Sequence, residues 1–255
     1  MKSKRIDSLS NINGCLSKPP KDGEGCETCG EFSAAPRAVG YVCIYRIEPV
    51  GEGESVRIYY ERRVGDATER DCLTLLVGQY SKLGIRQGEI GEDEFSELLG
   101  AGELYSALCR GIGFLSYGDK SARMLKYKLE RKGFSRDVAT RAVGYLSENG
   151  YILEADGALR RAELCAAKHW GPARIRQELR AQGYGEDAID AAMESLEDYD
   201  FDASCREIVK KKCKCGYPAD DVCEQKKLIA SVMRYGYSYE QVKRAIAGEL
   251  KNLSR

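Results

Sequence analysis

The chain has 255 residues, 43% of them hydrophobic and 31% charged, and its 40 basic and 40 acidic side chains give a formal net charge of zero. That length allows one or two domains with a real core, and no apolar run approaches the roughly twenty residues of a membrane span. The basic, polar start lacks the apolar stretch of an export signal, and eleven scattered cysteines suit reduced thiols, so a cytoplasmic protein is expected.

In chain order, residues 1–38 hold Pro19, Pro20, Gly23, Gly25 and Gly30 with few large apolar side chains, the composition of a disordered arm. Residues 39–103 read as a small β-rich domain. "YVCIYRIEPV" and "SVRIYYERRV" alternate apolar and polar residues and are joined by Gly51-Glu52-Gly53-Glu54, a hairpin loop. "CLTLLVGQY" is a third strand or a short helix, and "GIRQGEIGEDEFSELL" a turn followed by a capped acidic helix.

From residue 104 onward a pattern recurs three times at a period of about fifty residues, the mark of a repeat architecture. It runs Leu125, Leu129, Gly133, Phe134, then Ile175, Leu179, Gly183, Tyr184, then Leu228, Val232, Gly236, Tyr237. A second apolar stripe follows each copy: Val138, Ala142, Val143, Leu146; Ile189, Ala192, Met193, Leu196; and Val242, Ala245, Ile246, Leu250. Each glycine is placed to end a helix in a left-handed cap, Ser135 to cap the helix after it, and Pro172 to open one. A further helical stretch precedes each pair, near 104–115, 157–168 and 203–213. The fold class is therefore mainly α: tandem three-helix repeats in three copies (104–152, 153–201, 202–255), preceded by the β-rich domain and the arm.

Charge is uneven along the chain. Residues 1–106 carry 13 basic against 18 acidic side chains, and residues 107–255 carry 27 against 22. Candidate binding residues on the helices are Lys120, Arg123 and Lys126 in the first repeat, Arg160, Arg161, Lys168, Arg174, Arg176 and Arg180 in the second, and Lys210, Lys211 and Lys227 in the third. Such stripes suit a phosphate backbone or an acidic protein groove, while a solvated helix face with partners such as Lys126 and Glu130 is the plainer alternative. Arg176 and Arg180 lie one turn apart and share a face, which Arg174 does not.

Catalytic chemistry finds little support. His169 is the single histidine, beside Trp170 at a helix end, which suits a structural or capping role. There is no phosphate-cradling motif. Cys26-x-x-Cys29 has metal or redox spacing but no second such pair, although Cys15 and Cys43 could complete a set; Cys213-x-Cys215 with Cys223 is weaker still. Neither catalytic residues nor a cofactor are expected.

"HWGPARIRQELRAQGYGEDAIDAAMESL" resembles the central repeat of the RecX regulatory proteins through Gly171, Pro172, Arg174, Ile175, Glu178, Leu179, Gly183 and Tyr184. "LSYGDKSARMLKYKLERKGF" resembles that family's first repeat and "LSENGYI" its hinge between repeats, so the likeness covers about residues 104–250. "YILEADGALRR" departs from the family pattern, with Glu154 and Asp156 split by Ala155 and with Gly157 near the usual aromatic position. The resemblance implies a non-catalytic, monomeric modulator that binds RecA and its DNA filament and restrains recombinase, ATPase and coprotease activity in DNA repair and the SOS response. Two other readings stay open: a helical module that binds DNA directly, and a thiol- or zinc-dependent interaction protein.

Overall fold

The structure is a computed structural model that describes residues 41–51, 53–64, 67–213 and 221–253, the side chains of 64 and 250–253 excepted. The expected arm, with Cys15, Cys26 and Cys29, lies outside the described residues, as do Cys215 and the Leu250 side chain. The chain divides into two compact units. One comprises residues up to Ser116 together with Lys128–Glu148, the other Tyr117–Tyr127 and everything from Asn149.

The first unit opens on an antiparallel sheet of β1 (Val42–Val50), β2 (Ser55–Val64), β3 (Ala67–Leu76) and β4 (Gly88–Ile90), in the order β3-β2-β1-β4. Alternation decides which face is buried: Val42 and Ile44 on β1, Val56 and Ile58 on β2 and Leu75 on β3 form a core with Ile85, Phe95 and Leu98. The β1–β2 hairpin turns through Gly51 and Gly53, both at positive φ (67° and 90°). "CLTLLVGQY" is both of the things expected of it. β3 runs to Leu76, and helix α1 (Val77–Leu83) follows at once, ending on Gly84 in a left-handed cap. The segment expected to be a turn contains β4, which pairs Ile90 with Val42 and Gly88 with Ile44; three residues are too few to show an alternating pattern.

The acidic helix and the first helix of the first repeat are one helix, α2 (Glu92–Ser116). The helix passes through Gly100 and Gly102, and Gly102 lets Leu73 of β3 approach to 3.3 Å of where a Cβ would stand. α4 (Arg136–Glu148) packs along α2 and buries Val138, Ala142, Val143 and Leu146. Ser135 Oγ accepts the Val138 N–H at its start, as the sequence indicates.

The second unit contains the start of α3 (Ala122–Glu130), then α5 (Glu154–Ala166), α6 (Pro172–Ala181), α7 (Glu186–Glu194), α8 (Phe201–Lys212), α9 (Val222–Met233) and α10 (Tyr239–Leu253). In each repeat the first helix packs against the third: α2 on α4, α5 on α7, α8 on α10. Ile175, Leu179, Tyr184, Ile189, Ala192 and Leu196 close one core with Ala158, Ala162 and Cys165. Val232, Tyr237, Val242, Ala245 and Ile246 close another with Cys205, Ile208 and Val209. Met193 and Leu228 are only partly buried at the edges of these cores.

The three turn glycines end α3, α6 and α9 at φ 96°, 81° and 95°. In the first two, the paired bonds of a Schellman cap are complete: Gly133 N–H to Glu130 O and Phe134 N–H to Leu129 O, then Gly183 N–H to Arg180 O and Tyr184 N–H to Leu179 O. His169 plays the glycine's part at the end of α5. Its φ is 58°, the His169 N–H donates to Ala166 O, and the Trp170 N–H donates to Cys165 O.

Candidate partner-binding surface

Within the second unit, consecutive repeats are joined where the start of one helix meets a Gly-aromatic turn. At the first joint Ser121 Oγ donates to Gln182 O at 2.6 Å, and the Ala122 N–H donates to Glu154 Oε1 at 2.8 Å. At the second, the Gly171 N–H donates to Tyr235 O at 2.7 Å, Ala173 N–H to Gly236 O, and Arg174 Nη1 to Arg234 O at 3.2 Å. The backbones touch here. A Cβ on Gly171 would lie 2.5 Å from the carbonyl carbon and oxygen of Gly236, so any side chain would force the helices apart.

The basic candidates project from this framework in three groups. Arg160, Arg161, Arg176 and Arg180 are held by carboxylates of the chain itself. Arg160 Nε lies 2.6 Å from Asp119 Oδ2, Arg180 makes a two-pronged contact with Glu186 at 2.7 and 3.0 Å, Arg176 pairs with Asp190, and Arg161 with Glu178. Arg174 lies with its guanidinium 3.9 Å from the centre of the Trp170 ring and 5.8 Å from that of Tyr235. Lys168 is 6.0 Å from the same Trp170 ring, and Lys212 5.5 Å from Tyr235. The third group faces solvent: Arg123 on α3, Lys210 and Lys211 in the last turn of α8, where the helix dipole favours cations, and Lys227 on α9. Lys126 is half-buried, and Lys120 donates to Gly118 O and Asp119 O.

These partners explain the local electrostatics. The Arg161 hydrogen bond, helped by Gln182, holds the Glu178 carboxyl below the usual carboxylate range against the opposing effect of burial, and Arg180 does the same for Glu186. Burial pushes the Cys205 thiol up to about 11 and raises Cys165 as well, so both act as small core residues, not as thiolates. Among the described residues no three His, Cys, Asp or Glu side chains come together as a metal site, and no helix is long and apolar enough to cross a membrane.

No family model matches the chain. It is similar to a regulatory protein RecX of Vibrio campbellii, 30% identical over 138 residues that make up 54% of this chain and 88% of that protein. The chain belongs to the RecX family. A regulatory protein RecX of Stenotrophomonas maltophilia is 29% identical over 53% of this chain and 82% of its own length. Among solved structures, one of a regulatory protein RecX matches 80% of this chain and 99% of its own, with a TM-score of 0.63 and 19% identity. RecX from Lactobacillus salivarius matches 57% and 96%, at a TM-score of 0.50 and 17% identity. At such identities these two speak for the fold.

The residues that carry the RecX likeness are used here for packing and joining. Gly171 forms the joint, Pro172 opens α6, Ile175 and Leu179 are fully buried, and Glu178 anchors Arg161. Gly183 caps α6, and Tyr184 fills the core. The departure at Gly157 has a reason in this geometry, since a Cβ there would stand 3.0 Å from the Tyr184 hydroxyl. Glu154 and Ser121 at the first joint, and Tyr235 beside Arg174, were not among the sequence candidates. Ser121 stands where a helix cap is expected, four residues before Leu125; Glu154 and Tyr235 carry no local signal, because their partners come from another repeat.

Proposed function

We propose that the chain is a non-catalytic regulator that binds RecA and its DNA filament, and that it restrains recombinase, ATPase and coprotease activity in DNA repair and the SOS response. Membership of the RecX family carries this reading. The helical repeats support it, because an array of helices presents side chains over an extended surface and suits many modest contacts better than one reaction centre. The exposed Arg123, Lys168, Lys210, Lys211 and Lys227 offer cations to acidic side chains and phosphates. Repeats 104–152, 153–201 and 202–255 would form the binding part, acting as a cytoplasmic monomer without a cofactor. The test is the ATPase and strand-exchange activity of RecA filaments with and without this protein. Dose-dependent loss of both supports the reading. Unchanged activity, with equally tight and salt-sensitive binding to bare DNA, would favour a direct DNA-binding module.

A further inference from the structure

Gly183 has no side chain to keep the end of α6 from the start of α3: a Cβ there would lie 3.0 Å from Ser121 Oγ and 3.1 Å from Arg123 Cβ. Beside this contact lies a cleft of about 320 Å³ lined by Arg123, Met124, Tyr127, Arg180, Ala181 and Gly183. Arg123 and Tyr127 are one turn apart on α3 and share a face. Arg123 is exposed and has no ion-pair partner among the described residues. The Arg180 guanidinium is held in place by Glu186, and Tyr127 is 52% exposed.

We propose that this cleft takes one acidic side chain of an extended peptide segment together with an apolar side chain next to it. The planar fork of Arg123 matches a carboxylate, and Arg180, its charge already balanced by Glu186, lines the same cleft. Met124, Ala181 and the Tyr127 ring offer an apolar surface beside the cations. A nucleic-acid strand fits less well. Glu186, bound to the cleft residue Arg180, places a fixed carboxylate next to it, and a succession of phosphates would meet more of that repulsion than one carboxylate seated on Arg123. This assignment rests on the reading of a regulator that docks on a protein filament and supplies that docking with an anchor.

The test is a titration of the 15N-labelled full chain, followed by backbone amide shifts, with a blocked Gly-Glu-Phe-Gly peptide, its Gly-Gln-Phe-Gly counterpart and a short thymidine oligonucleotide. Saturable shifts at Arg123, Tyr127 and Gly183 are expected with the acidic peptide, about tenfold weaker with the Gln peptide and in Arg123→Met, which keeps the aliphatic stem on Gly183. Arg123→Lys should fall between. Equal response to both peptides, an unchanged response in Arg123→Met, or saturation by the oligonucleotide at lower concentration would overturn the assignment. Co-sedimentation with RecA filaments separates the two ideas. Protein that co-sediments yet ignores the acidic peptide removes the cleft and keeps the filament reading; the reverse pattern removes the filament reading and keeps the cleft.

Discussion

Gly133, Gly183 and Gly236 occupy the same step of their repeats and share a left-handed backbone, yet a methyl group would meet different things at each. At Gly133 nothing lies within 4 Å, whereas at Gly236 a Cβ would stand 2.5 Å from Arg174 N. Gly133→Ala should therefore cost only the strain of a left-handed alanine, about 1–2 kcal/mol. Gly236→Ala should add roughly another 1–3 kcal/mol from overlap at the joint. Urea unfolding by far-UV circular dichroism for both, and by fluorescence of Trp170, the single tryptophan, for the second, checks this; equal losses would mean that the joint yields. Glu178 gives a pH test. Its carboxyl is held low by Arg161, so the stabilisation is complete above the unfolded value near ~4.3 and is lost as pH falls from there through the lower folded value. Glu178→Gln should cost about 1–2 kcal/mol at neutral pH, and the gap to the parent should close as the solution is acidified below about pH 4. A gap that stays constant down to pH 3 or so would show that the pair does not set the acid limb.

At the scale of elements, what was legible in the sequence depended on distance along the chain. Helix ends came through clearly, because Gly133, Gly183, Gly236, Ser135 and Pro172 act on neighbours within five residues. The apolar stripes came through for the same reason, since period alone places Ile175 and Leu179 inward. β4 and the continuity of α2 did not, as one is too short for a pattern and the other runs through two glycines, of which Gly102 packs against Leu73 of a distant strand. The basic residues were legible as types but not as free or paired: Arg160 finds Asp119 at a separation of 41 residues, and Arg176 finds Asp190 at 14. A charge swap separates the two roles of Arg180. Arg180→Glu should weaken filament inhibition by about tenfold, and adding Glu186→Arg should restore thermal stability without restoring inhibition, if Arg180 faces the partner. Recovery of inhibition in the double variant would reduce Arg180 to a clasp between α6 and α7.

For the molecule as a whole, the zero formal charge conceals a basic C-terminal part and an acidic N-terminal one. Attraction to a polyanionic filament must then come from local groups, and raising salt from about 50 to 300 mM should weaken inhibition by roughly tenfold, less than for a protein that is basic throughout. Inhibition that ignores salt would shift the binding energy to apolar contacts such as the exposed Leu164 and Tyr127.

The two joints also carry an address. Gly171 admits no side chain against Gly236, while Ser121, its counterpart one repeat earlier, needs its hydroxyl to reach Gln182. A serine placed at Gly171 would collide, and a glycine at Ser121 would leave a carbonyl without its donor. The repeats are thus alike in shape but not interchangeable: each recognises its own successor, so a duplicated or shuffled repeat would meet the wrong socket. The order of the array is written into its seams.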